Sequence, residues 1–204
     1  MPATDCFSLI LFDLGKVILP FNVRIATKAF EKECSLPSEE IVGRVMGNSL
    51  DWDFETGKIS PEEFYEEVKR RTGLNVTYDR FVELWNNIFS ENHKVSDMVR
   101  RLKEKYLVAI ISNTNMLHFD FVYRKFPIVR EIGHFILSYQ LGLRKPDPKI
   151  YQVALERFRV TPQRTVYVDD LEPFVNTTRT LGLHGIHFKD ENQLEAEFRA
   201  LKLF

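Results

Sequence analysis

Four stretches of this chain bring reactive side chains to the ends or margins of apolar runs. The first run ends in Phe12-Asp13, and Leu107–Ile111 leads into Ser112-Asn113-Thr114-Asn115. Leu143-Arg144-Lys145-Pro146-Asp147 comes next, and Thr165–Val168 leads into Asp169-Asp170. Carboxylates can serve as nucleophiles or metal ligands, hydroxyls and amides donate to anions, and a lysine neutralises negative charge. Each stretch alone is weak evidence, because an aspartate after a strand commonly caps the following helix. Brought to one edge, two acidic positions, a hydroxyl-amide loop and a lysine have the composition of an active site.

That convergence requires a parallel sheet. Five runs rich in branched and aromatic residues read as buried strands: Ser8–Phe12, Leu107–Ile111, His134–Ser138, Thr165–Val168 and Gly185–Phe188. Helical patterns separate the last four. Val95–Lys105 carries Met98, Val99 and Leu102, Pro148–Phe158 carries Ile150, Val153, Ala154 and Phe158, and Glu172–Leu181 is a weaker case. Strands alternating with helices imply an α/β fold, a Rossmann-like parallel sheet covered on both faces, with ligands at the carboxyl edge.

Between the first and second strands the sequence reads as amphipathic helices instead. These are Arg24–Cys34, Ser38–Met46, a segment starting at Ser60-Pro61-Glu62-Glu63, and Tyr78–Phe89 with Phe81, Leu84, Trp85 and Ile88. Ser60 stands as an N-cap, Pro61 in the first turn and Glu63 in capping-box position. An insert at this point lies over the carboxyl edge of the sheet. The expected organisation is a core of residues 1–18 and 92–204 with an inserted α-helical cap of residues 19–91. Glu191–Phe204 reads as a closing helix packed through Leu194, Phe198 and Leu201.

Composition narrows the partners. The 28 basic and 29 acidic side chains nearly cancel, whereas proteins that track a nucleic-acid backbone carry a basic excess. No nucleic-acid partner is expected. The start Met-Pro-Ala-Thr-Asp lacks the basic and long apolar regions of a signal peptide, and Phe7–Phe12 is too short to span a bilayer. A cytoplasmic protein without a membrane partner is expected, as a monomer or weak homodimer. Cys6 and Cys34 have no metal-ligand spacing and read as thiols in a reducing compartment.

The motifs together resemble the haloacid dehalogenase superfamily. The four are Leu-Phe-Asp13-Leu-Gly15-Lys-Val, Ile-Ile-Ser112-Asn113-Thr114, Arg-Lys145-Pro146-Asp-Pro-Lys-Ile-Tyr151 and Val-Tyr-Val-Asp169-Asp170. Within the superfamily the chain is most similar to helical-cap phosphatases that include the α-D-glucose-1-phosphatases, in its Asp-Leu-Gly start, Ser-Asn-Thr-Asn loop and Glu55-Thr-Gly57-Lys-Ile59-Ser60 segment. The resemblance implies hydrolysis of a small phosphorylated metabolite, a sugar phosphate among the candidates, through an aspartyl-phosphate. Asp13 is then the nucleophile, with Ser112 and Lys145 as its catalytic partners. Asp13, Asp170 and the Gly15 carbonyl are expected to hold Mg²⁺, with Asp169 reaching it through water or orienting a neighbour. Ser112, the Asn113 N–H and Lys145 bind phosphate. Asn115, Trp52 and Glu55 are expected to touch the rest of the substrate, with Asp53 and Lys58 as further candidates for sugar hydroxyls.

Two positions depart from the usual pattern. The second aspartate that serves most such phosphatases as acid and base is replaced by Gly15, and general acid–base catalysis contributes about 10²- to 10⁴-fold. The aspartate or asparagine expected four residues beyond Asp170 is Phe174, with Glu172 and Asn176 nearby. Two rivals follow: a 2-haloacid dehalogenase of the same fold, and a catalytically impaired binding or regulatory protein.

Overall fold

The computed structural model describes residues 7–204. Cys6 and the signal-peptide reading of the N-terminus lie outside the described residues. Strand β1 (Leu9–Phe12) is followed by α1 (Val23–Phe30), α2 (Ser38–Val45), α3 (Ser49–Glu55), α4 (Pro61–Thr72) and α5 (Tyr78–Asn86). Then come α6 (His93–Lys103), β2 (Leu107–Ser112), α7 (Met116–Lys125), α8 (Pro127–Ile132), β3 (Phe135–Leu137) and α9 (Ser138–Leu141). The chain continues through α10 (Pro148–Phe158), β4 (Thr165–Asp169), α11 (Glu172–Thr180), β5 (His184–His187) and α12 (Glu191–Ala200).

The five strands form a wholly parallel sheet in the order β3-β2-β1-β4-β5. The order reverses at β1, so consecutive crossovers leave on opposite faces and a crevice opens at the carboxyl ends there. Both faces are buried, as the continuous apolar runs require. Ile10, Phe12, Val108 and Val166 pack with Val99, Val122 and Phe198 on one face, and Leu9, Leu11, Ile111 and Tyr167 pack with Ile150, Ala154 and Val175 on the other.

The helices between β1 and β2 have their own apolar cluster, built on Phe30, Ile41, Phe54, Phe64, Phe81 and Trp85. Phe54 stacks on Phe64 with ring centroids 4.2 Å apart. The chain enters and leaves this layer through two neighbouring segments that hydrogen-bond to each other, with Ser90 N–H on the Pro20 carbonyl and Asn22 N–H on the Ile88 carbonyl. The Ser60–Glu63 capping box forms in both directions.

Several local elements differ from the sequence reading. Residues 49–55, which carry none of the helices expected from the sequence, form α3, whose N-cap Asn48 accepts from Leu50 N–H. The helix starting at Val23 ends at Phe30 rather than at Cys34. Helices α7, α8 and α9 had no clear apolar periodicity and were not anticipated; Asn115 caps α7, and Pro127 starts α8. Cys34 is a free, half-buried thiol. No helix among the described residues is long and apolar enough to cross a membrane.

Candidate active site

Three adjacent strands deliver the polar groups. Asp13 follows the last residue of β1, and its N–H still bonds to the Val168 carbonyl of β4 at 2.8 Å. Ser112 is the last residue of β2 and Asp169 the last of β4, with Asp170 next along the chain. Carboxylate oxygens of Asp13, Asp169 and Asp170 lie within 4.8 Å of one another.

The Lys145 ammonium sits between two of these acids, 2.7 Å from Asp13 Oδ1 and 2.7 Å from Asp169 Oδ2. Lys145 is 2% exposed. The Asn113 side chain fixes its backbone from both sides: its oxygen accepts from the Lys145 N–H and its amide donates to the Lys145 carbonyl. Burial pulls the ammonium's pKa down, but the two carboxylates more than reverse this and hold it above the usual lysine value. Burial pushes the Asp13 carboxyl up from its usual range, against the pull of Lys145. Asp13 Oδ1 also accepts from the Leu14 N–H at 2.7 Å, so one oxygen is held and Oδ2 takes neither bond.

Asp169 is fully buried and its oxygens are engaged: Oδ1 accepts from Leu171 N–H, and Oδ2 meets Lys145 and the Tyr167 hydroxyl. Asp169 thereby anchors the Lys145 ammonium and the Tyr167 hydroxyl. Asp170 is half-buried, with the Lys16 ammonium 3.9 Å away. The Gly15 carbonyl accepts from the Val17 N–H at 2.7 Å. A side chain at Gly15 would collide with Phe21, since a Cβ there would stand 2.8 Å from the Phe21 ring.

A cavity of about 290 Å³ opens over this edge, roofed by the helices between β1 and β2. Asp13, Gly15, Ser112, Asn113, Lys145 and Asp170 line it, as does Phe174, whose ring centroid lies 5.3 Å from the Lys145 ammonium. Glu55 lines it too, but its carboxylate is taken by Arg144, whose Nε and Nη2 donate to Oε2 at 2.9 and 2.6 Å. Burial pushes the Glu55 carboxyl up, as does neighbouring Asp51, while Arg144 opposes both.

Two of the expected substrate contacts have other surroundings. Trp52 is not among the residues that line the cavity and is 49% exposed, with the Arg144 guanidinium of the cavity wall 5.4 Å from its ring centroid. Asn115 does line it, but its oxygen caps His118 N–H and its amide donates to His118 Nδ1. Asp53 and Lys58 pair with each other and stay outside the cavity, and neither Glu172 nor Asn176 reaches it. Residues that sequence reasoning missed include Tyr167, Arg144 and Asp51. Arg144 was visible beside Lys145, whereas Asp51 needed the helical register of α3.

The site is an acidic, lysine-bridged strand edge of a parallel α/β sheet beneath a helical layer. The family model described as haloacid dehalogenase-like hydrolase matches residues 7–172, and the chain belongs to that family. It is 27% identical over 190 residues to a D-ribitol-5-phosphate phosphatase of Bacteroides thetaiotaomicron, covering 90% of this chain and 91% of that protein. It is 26% identical over 199 residues to a sesquiterpene phosphatase of Aspergillus oryzae, covering 96% of each. A haloacid dehalogenase-type enzyme from B. thetaiotaomicron, crystallised with magnesium and inorganic phosphate, superposes with a TM-score of 0.81 at 25% identity, covering 90% of this chain and 94% of that one.

Proposed function

We propose that the protein is a Mg²⁺-dependent phosphatase that hydrolyses a small phosphorylated metabolite through an aspartyl-phosphate on Asp13. The supporting observation is the Lys145 bridge between Asp13 and Asp169, at 2.7 Å to each, with Asp170 on the same edge. Three carboxylates there outnumber the ammonium groups of Lys145 and Lys16, and an arriving phosphate adds negative charge. The donors offered are all oxygens, which suits a hard cation. Mg²⁺ held by Asp13, Asp170 and the Gly15 carbonyl would supply the positive charge that lets a carboxylate approach an anionic phosphorus.

The chain's own groups do the rest. Lys145 fixes Asp13 and neutralises charge on the phosphoryl oxygens, with Asp169 and Tyr167 anchoring Lys145. Ser112 and the Asn113 N–H donate to the same oxygens. A bond forms from Asp13 to phosphorus as the ester bond breaks, and the departing oxygen takes its proton from water because Gly15 has no side chain to give one. Water then attacks phosphorus and frees Asp13. Residues 19–91 act as a cap that shields these steps. A dehalogenase attacking carbon has no need of three acids crowded at one strand edge, which counts against that rival.

Phosphate release measured with Mg²⁺ and with a chelator tests this reading. Asp13→Asn is expected to reduce release by about 10⁴-fold or more while the protein remains folded by circular dichroism. Turnover undiminished in that variant would exclude Asp13 as nucleophile, and chloride release from a 2-haloacid would favour the dehalogenase.

A further inference from the structure

The cavity is polar at one end and apolar over most of the rest. Away from the strand edge, its walls are Phe21, Val23, Met46, Ile88, Phe89 and Phe174. Several of the polar side chains that share this lining are held by protein partners. Glu55 takes Arg144, Asp51 Oδ2 accepts from the Gly47 N–H, and Asn115 is turned to His118. His118 reaches the Trp85 carbonyl through Nε2. Burial pushes the Asp51 carboxyl up, and the Arg144 charge acts against it. Phe21 fills the space beside Gly15 from which a polar side chain could reach the leaving oxygen.

A polyol lying against these six walls would give up water around its hydroxyls and find no hydrogen-bonding partner on them. An apolar group loses nothing comparable and gains from leaving water. We infer that the preferred substrate is the phosphate monoester of an apolar alcohol, of the alkyl or prenyl kind. The inference rests on the phosphatase reading above and adds the chemistry of the leaving group. The phosphate docks at Asp13 and Lys145, and the hydrocarbon lies against the helical roof.

The test uses the full chain with Mg²⁺ and follows phosphate release from straight-chain alkyl monophosphates of increasing length, from ribitol 5-phosphate, and from acetyl phosphate. Acetyl phosphate makes no demand on the roof. The expected result is a rise in kcat/KM of about fourfold per added methylene until the cavity is full, with the best alkyl ester ahead of the polyol ester. A flat series, or preference for the polyol ester, overturns the inference while acetyl phosphate hydrolysis leaves the phosphatase reading intact. Failure to hydrolyse acetyl phosphate overturns the reading beneath it. Calorimetric binding of alkylphosphonates of the same lengths examines the same wall without turnover: affinity that climbs with length supports the inference, and affinity independent of length overturns it.

Discussion

Asp13 and Asp51 line the same cavity from opposite sides, and their surroundings differ in kind. Asp13 stands at a strand tip with two further carboxylates within 4.8 Å and one buried ammonium among them. Asp51 sits on a helix of the roof, with Gly47 N–H on one oxygen and the Arg144 charge nearby. The sheet side gathers more negative than positive charge, the balance that the proposed Mg²⁺ would redress. The roof's acids in the cavity are tied to protein donors, Asp51 to the Gly47 N–H and Glu55 to Arg144, and the rest of its lining is chiefly apolar. In the proposed reaction rigid strand ends hold the reacting groups, and the helical layer selects what reaches them.

The sharpest way to break this contrast is to remove the cation of the sheet side. Lys145→Met leaves Asp13 and Asp169 buried without their counter-charge, and truncating one partner of a buried ion network costs about 3–5 kcal/mol. Denaturant unfolding is expected to show a loss of that size together with loss of phosphate release. Adding Asp169→Asn should restore part of the stability and none of the activity. A Lys145→Met protein as stable as the parent would show that the three acids do not depend on this ammonium.

The contact of the roof with α7 makes the opposite prediction at His118. Its ring stacks on Trp85 with centroids 5.2 Å apart, and burial holds its pKa down to about 4. The unfolded chain therefore takes up this proton more readily than the folded one. The stability tied to the neutral ring is fully present above pH 6.5 and is lost as pH falls towards 4, amounting to about 3 kcal/mol. His118→Phe keeps a ring against Trp85 and removes the proton, so the variant should gain on the parent by that amount between pH 7 and pH 4. A stability difference that stays constant over this range would mean that His118 is not held neutral by the roof.

Much of the sheet side was legible because its signals are local. Asp13, Ser112, Lys145 and Asp169-Asp170 follow or flank apolar runs, and a parallel sheet turns such runs into one edge. Pro148–Phe158 matches its helix because a proline at the start and a regular apolar face mark both its bounds. The roof was less legible. Helix α3 is short, and seven residues give little periodicity, so the sequence shows neither the helix nor the place of Asp51 on it. Asn115 looked like a substrate ligand because its role as the cap of α7 depends on where His118 lies in space. Asp169 and Tyr167 project from the same side of β4, two residues apart, but their shared contact with Lys145 required the fold.

The smallest expected effect lies where the two sides meet. Arg144 belongs to the loop that carries Lys145, and Glu55 to the roof, so their ion pair ties the selecting layer to the reacting one. Both side chains are partly exposed, at 30% and 18%, which limits the pair to about 1 kcal/mol of coupling. A double-mutant cycle of Arg144→Met and Glu55→Gln, read by unfolding, should return that value. Nearby, a Cβ at Gly57 would stand 2.2 Å from the Tyr139 carbonyl oxygen, so Gly57→Ala is expected to loosen the same junction by a different means. If the roof closes over its ligand as one body with the Arg144 loop, both changes raise KM more than they lower kcat. Equal loss in kcat would instead mean that the junction positions Lys145 itself, and the division between a selecting roof and a reacting edge would have to be redrawn at Arg144.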